Sequence, residues 1–82
     1  MMRVVTVHEP PTTRRETAGD RIERQRLGLG WTQADLAERA SISQMTIYRA
    51  ETGHAVYAWV LAAIAEALNV SMDWLWRGEE AL

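Results

Sequence analysis

Gln44, Met45, Thr46, Tyr48 and Arg49 place an amide, a thioether, a hydroxyl, a phenol and a guanidinium within one short stretch of chain. These groups suit the reading of flat polar edges. A glutamine amide can bond adenine N6 and N7 together, and a guanidinium can do the same with guanine O6 and N7. A methionine can pack on a thymine methyl. Gln44, Met45 and Arg49 are therefore the candidates for base contacts. Tyr48 and Thr46 flank them, and for these a phosphate contact through the hydroxyl is the better expectation. Each residue also has an ordinary reading, with Gln44 as a solvated residue at a helix start and Met45 as an incidental exposed side chain. No glycine-rich phosphate loop, no Ser/His/Asp set with recognisable context and no metal-binding cluster accompanies them. The expectation is of no enzyme, no cofactor and no metal.

Such side chains act together only on a rigid support. Residues 32–53 read as two short helices joined by a tight turn. Thr32 caps the first helix, and Asp35 three residues on can reach back in a capping-box pattern. Leu36, Ala37 and Ala40 make its inner stripe. Ser41-Ile42 is the turn, and Ser43 caps the second helix. Ile47 and Ala50 face inward, which turns the polar set outward. Gly53 suits the end of that helix, being tolerant of positive φ. Small Ala37 lets the two helices cross closely. A helix supported in this way can enter the major groove of DNA.

These residues resemble the XRE/Cro-type helix-turn-helix family, and within it the DNA-binding domains of lambdoid phage repressors. The likeness runs from Gly19-Asp20-Arg21-Ile22 through Arg26 into Trp31-Thr32-Gln33-Ala34-Asp35-Leu36-Ala37. It continues to Glu51-Thr52-Gly53 and resumes at Ile64-Ala65-Glu66-Ala67-Leu68 and Val70-Ser71-Met72-Asp73-Trp74-Leu75. The resemblance implies an all-α, compact five-helix bundle that binds operator DNA as a two-fold dimer. It implies that Gln44 contacts base edges. It also implies that Gln33, with the N-terminus of its helix, grips a phosphate. Thr32 and Ser43 are caps first, with any phosphate contact secondary. Arg26 and Glu51 match a partly buried salt bridge in the family. The segment His54-Ala55-Val56-Tyr57-Ala58-Trp59 departs from the family, where this loop often brings basic residues to the DNA backbone. Here only His54 can add charge, so the phosphate grip on that side is expected to be weak. Tyr57, Trp59 and Val60, with Trp74 and Trp76, can form an exposed apolar patch of the kind that marks an interface. In relatives this end supplies the dimer contact. With no Phe in the chain, some of these aromatics must instead complete the core, and at least one Trp is expected in each role.

Around this unit the chain divides simply. Residues 1–16 form an arm, in which Arg3-Val4-Val5-Thr6-Val7 has strand composition and Glu9-Pro10-Pro11 ends any regular element. Three readings stay open: disorder, a short strand paired with a second subunit, or an arm that wraps DNA through Arg14 and Arg15. The domain proper covers 17–78, and 79–82 is a tail. Helix 1 starts near Thr13 or Thr17 and ends at Gly28-Leu29-Gly30, with Ile22 and Leu29 inward and Trp31 just beyond. Leu61, Ile64, Ala65 and Leu68 line a fourth helix that Asn69 ends. Ser71 caps a fifth, which stops at Arg77-Gly78, with Met72 and Leu75 inward. Trp74 and Trp76 cannot share one interior.

The formal net charge of −2 is low for a nucleic-acid binder. Its distribution is uneven. Residues 1–31 hold six Arg against four acids, and residues 54–82 hold one Arg against four. The C-terminal third should therefore face away from phosphate. No Cys is present, so neither disulfides nor a cysteine-ligated zinc site supports the fold. No secretory signal is visible at the start. The longest apolar run, Ala55 to Ala65, is too short to span a bilayer, so a cytoplasmic location is expected. The expected function is that of a sequence-specific double-stranded-DNA-binding regulator, a repressor acting by operator occupancy as a homodimer. With no effector domain after Leu82, regulation is expected from dimerisation, a partner or turnover. The alternative is a protein-interaction module, antitoxin-like or adaptor, that holds another protein.

Overall fold

The computed structural model describes residues 4–6 and 16–78. The chain order is β1 (Val4–Thr6), α1 (Ala18–Gly28), α2 (Gln33–Ala40), α3 (Gln44–Glu51), β2 (Ala55–Tyr57), α4 (Ala58–Leu68) and α5 (Met72–Arg77). Five helices enclose one core, and the two short strands pair antiparallel at its edge.

Local chemistry sets most helix starts. Thr17 caps α1 and Thr32 caps α2, each in a complete capping box with Asp20 and Asp35. Ser43 and Ser71 cap α3 and α5 by accepting from the backbone N–H three residues on. Two helices end on a left-handed non-glycine residue, Ser41 after α2 and Asn69 after α4. Thr13, the other candidate start for α1, lies outside the described residues.

The core is built from one inner stripe per helix. Ile22, Leu36, Ile47, Leu61, Ile64 and Leu75 are its largest fully buried side chains. Trp31, Ile42, Val70 and Trp74 pack against it from the rim, half-buried. Helix α4 is apolar almost throughout and lies centrally, touching α1, α2, α5 and β2. Gly19 lets α1 and α3 meet backbone to backbone, because a Cβ there would lie 2.6 Å from the Glu51 carbonyl oxygen.

Several expected placements change. Leu29 is exposed, since α1 ends at Gly28 and Leu29 is only its C-cap. Met72 is exposed because it begins α5 on the outer side, leaving Leu75 as that helix's buried residue. Val60 is buried and belongs to the core, not to a surface patch. The segment after His54 is a strand followed directly by a helix, with Val56 turned inward and Ala55 and Tyr57 outward. The arm's strand pairs within its own chain, with Val4 opposite Tyr57, Val5 opposite Val56 and Thr6 opposite Ala55. No described helix is long and apolar enough to cross a membrane.

Candidate nucleic-acid interface

Helix α3 turns Ile47 and Ala50 into the core. That fixes its other face. Gln44, Met45, Tyr48 and Arg49 are all exposed, Met45 at 64%. None of them is used by the packing of the domain. Arg49 makes no hydrogen bond or ion pair through its guanidinium among the described residues. Gln33, Gln44, Met45 and Tyr48 line one shallow hollow of about 420 Å³ between the start of α2 and the outer face of α3. The fold therefore gathers these four. Arg49 stands on the same helix outside the hollow.

The flanking hydroxyls are less free. The Ser43 hydroxyl accepts from the Thr46 backbone N–H at 3.1 Å and lies 2.7 Å from the Thr46 hydroxyl. Thr32 accepts from the Asp35 backbone N–H at 3.0 Å, and Asp35 accepts in return from the Thr32 N–H at 2.9 Å. These bonds from Thr32 hold the Asp35 carboxyl below its ordinary pKa, because they favour the charged form.

Behind the hollow lies the bond set that aims it. Arg26 donates to both oxygens of Glu51, at 2.7 and 3.1 Å, and to the Trp31 carbonyl at 2.8 Å. The two charged side chains are only 8% and 4% exposed. The bonds to Glu51 push the Arg26 guanidinium above its ordinary pKa, against the opposing effect of burial. Gln33 donates one amide N–H to the same carboxylate at 3.0 Å. One carboxylate at the end of α3 thus holds α1 and the first residue of α2 together. The amide expected to face a phosphate is partly committed inside the domain, with one N–H left.

Elsewhere the aromatics divide. Trp74 is half-buried against the core and carries Arg24 over its ring at 5.7 Å. Trp31 likewise lies under Arg39 at 4.3 Å. Tyr57, Trp59 and Trp76 are exposed, so of the four residues expected at a dimer contact Trp74 offers the least surface. His54 is exposed, with its Nδ1 3.0 Å from the Thr52 hydroxyl. Arg14 and Arg15 lie outside the described residues.

One buried group was not singled out from the sequence. Arg21 is 5% exposed and donates to the Leu75, Trp76 and Glu16 carbonyls at 3.0, 3.1 and 2.8 Å. It fastens the C-terminal turn of α5, where a cation is favoured. Gly78 packs on it; a Cβ there would lie 2.8 Å from the guanidinium. Its place in the sequence was a usable signal, since Ala18, Arg21 and Ile22 form one helical stripe facing inward.

Two capped helices at a tight turn, the second bare on its outer side, make a helix-turn-helix. A family model described as helix-turn-helix matches residues 22–75, from within α1 to within α5. The chain belongs to this XRE-type helix-turn-helix family, a family of DNA-binding regulators. Among the described residues no three His, Cys, Asp or Glu side chains group as a metal site.

Proposed function

We propose that the protein is a sequence-specific double-stranded-DNA-binding transcriptional regulator, a repressor that occupies its operator as a homodimer. The observation that carries this is the unused outer face of α3 beside the start of α2. Helix α3 of each subunit enters one of two successive major grooves, roughly 34 Å apart along one DNA face. Gln44, Met45 and Arg49 read bases. The free N–H of Gln33 and the N-terminus of α2 hold a phosphate, with Tyr48 beside them. Thr46, Thr32 and Ser43 add little, because their hydroxyls serve α2 and α3 first. Arg14 and Arg15 supply further phosphate contacts. Tyr57, Trp59 and Trp76 form the dimer surface, with Trp74 at its margin. A DNA ligand makes the cytoplasm the place of action.

A second reading rests on one observation. The exposed Tyr57, Trp59 and Trp76 give the domain an aromatic surface that suits a protein partner. In that reading the chain is an antitoxin-like or adaptor module.

Selection of bound fragments from random duplexes, at stated salt, separates the two. A two-fold-symmetric consensus is the expected result. Absence of any enriched sequence would leave the interaction module as the function.

A further inference from the structure

The hollow between α2 and α3 is more selective than a general polar face. Its four lining residues, Gln33, Gln44, Met45 and Tyr48, carry no charge, and most of its wall is apolar. It is shallow, so it would bury little of a free small ligand, but it suits an edge held out by a rigid duplex. Glu51 fixes the polarity of one of its two amides. Both carboxylate oxygens of Glu51 accept from Arg26, so neither carries a proton, and such a group only accepts. The end of Gln33 that meets Glu51 at 3.0 Å is therefore its NH2. The other end, the Gln33 carbonyl oxygen, accepts no hydrogen bond among the described residues. No described side-chain N or O is buried without a partner, so this oxygen is open to solvent. Gln33 thus brings a fixed acceptor to the hollow, with one N–H left for the phosphate contact. Met45 and Tyr48, 64% and 50% exposed, bring the apolar surface. The acceptor asks for an amino donor and the wall asks for an apolar group. In the major groove adenine and cytosine show an amino donor and thymine alone shows a methyl, so the A·T pair is the one pair that shows both.

We propose that this hollow seats the edge of one A·T pair, with the adenine amino group on the carbonyl oxygens of Gln33 and Gln44 and the thymine methyl against Met45 and Tyr48. The inference rests on the DNA-reading function above and names the base pair that the hollow selects. It gives the Tyr48 ring a task apart from its hydroxyl. It also makes Glu51 a positioning residue, which acts on the bases only through Gln33.

Deoxyuridine lacks only the methyl of thymidine, so it probes that one group. In the selected duplex, thymine is replaced by deoxyuridine one position at a time. Binding should weaken at one position of the recognised site by about fourfold, the worth of one buried methyl. The double variant Met45→Ala, Tyr48→Ala should bind the thymine and deoxyuridine duplexes equally. Tyr48→Phe, which keeps the ring, should keep the fourfold preference that Tyr48→Ala reduces. These side chains are exposed, so folding is not at stake, and a circular dichroism spectrum checks it. The amide half is read by placing G·C at the same position. Gln33→Met leaves the Arg26–Glu51 pair whole and should narrow the gap between the A·T and G·C duplexes by about fivefold or more. Glu51→Ala should narrow the same gap, and should do nothing further to it in the Gln33→Met background; a loss of folding stability alone would lower affinity for both duplexes equally. A parent chain indifferent to deoxyuridine at every position would overturn the proposal and leave the DNA reading intact. A preference that survives in the Met45, Tyr48 double variant, or a gap unmoved by Gln33→Met, would also overturn it. No enriched duplex at all would overturn both.

Discussion

At position 51 one carboxylate meets a guanidinium on α1 and an amide on α2. Replacing it changes more than a surface charge. Glu51→Ala leaves Arg26 buried with, among the described residues, no carboxylate beside it closer than Glu23 at 4.0 Å. Stranding a well-buried charge costs roughly 3–5 kcal/mol, so the variant should lose that much in urea unfolding. A loss under about 1 kcal/mol would mean that water reaches Arg26 freely. The pairing of Arg26 with Glu51 was legible through the family resemblance. Gln33 as a third partner was not. Helical periodicity assigns a side chain to a face, but it does not say which polar tips meet across two helices. The burial of Arg21 could be read from its inward stripe, but its partners could not, because its acceptors are backbone carbonyls that carry no sequence signature.

Helix boundaries were the most legible elements, because caps are local. Thr17 with Asp20 and Thr32 with Asp35 need only the three residues that follow. Thr32→Ala should cost about 1 kcal/mol of stability by loss of the cap, measured by thermal unfolding. Asp35 gives the same box a pH signature. Its folded pKa is lowered, so its contribution is full above the unfolded value of about 3.9 and is lost as pH falls through the folded value. Asp35→Asn should therefore show a shallower fall in stability below about pH 4 than the parent chain. Identical acid limbs would contradict this. At the α1–α3 crossing, Gly19→Ala must place a methyl against the Ala50 and Glu51 carbonyls. The expected cost is about 1–3 kcal/mol, typical of overpacking, and a neutral outcome in denaturant unfolding would show that the helices separate easily. Leu29, Met72 and Val60 were misplaced because each sits in the first or last turn of its helix or just beyond, where the inner stripe is poorly defined. The β1–β2 pairing was out of reach because it joins residues about fifty positions apart, and pattern alone cannot set such a register.

For the whole molecule, charge decides how DNA is held. Much of the positive charge in the described domain is spent internally. Arg21 and Arg26 are buried, Arg24 pairs with Glu16, Arg77 pairs with Asp73, and Arg39 lies over Trp31. Arg49 is left to face phosphate or base. Binding should therefore weaken only gently with salt, and much of that dependence should come from Arg14 and Arg15. Arg14→Ala with Arg15→Ala should lower the slope of log K against log salt by about 2, roughly 1 for each lost phosphate contact. An unchanged slope would remove the arm from the DNA interface. The five-helix architecture and the outward face of α3 were both legible, because each follows from where the apolar residues fall.

The central claim is that the outer face of α3 reads bases. Its most direct test is the affinity of the parent chain, Gln44→Ala and Arg49→Ala for the selected duplex and for single-base variants of it, at one salt concentration. Each variant should lose about 1–3 kcal/mol of specific affinity and tolerate base changes at its own symmetric positions in the site. Parent-like affinity and an unaltered base preference in both variants would contradict the account.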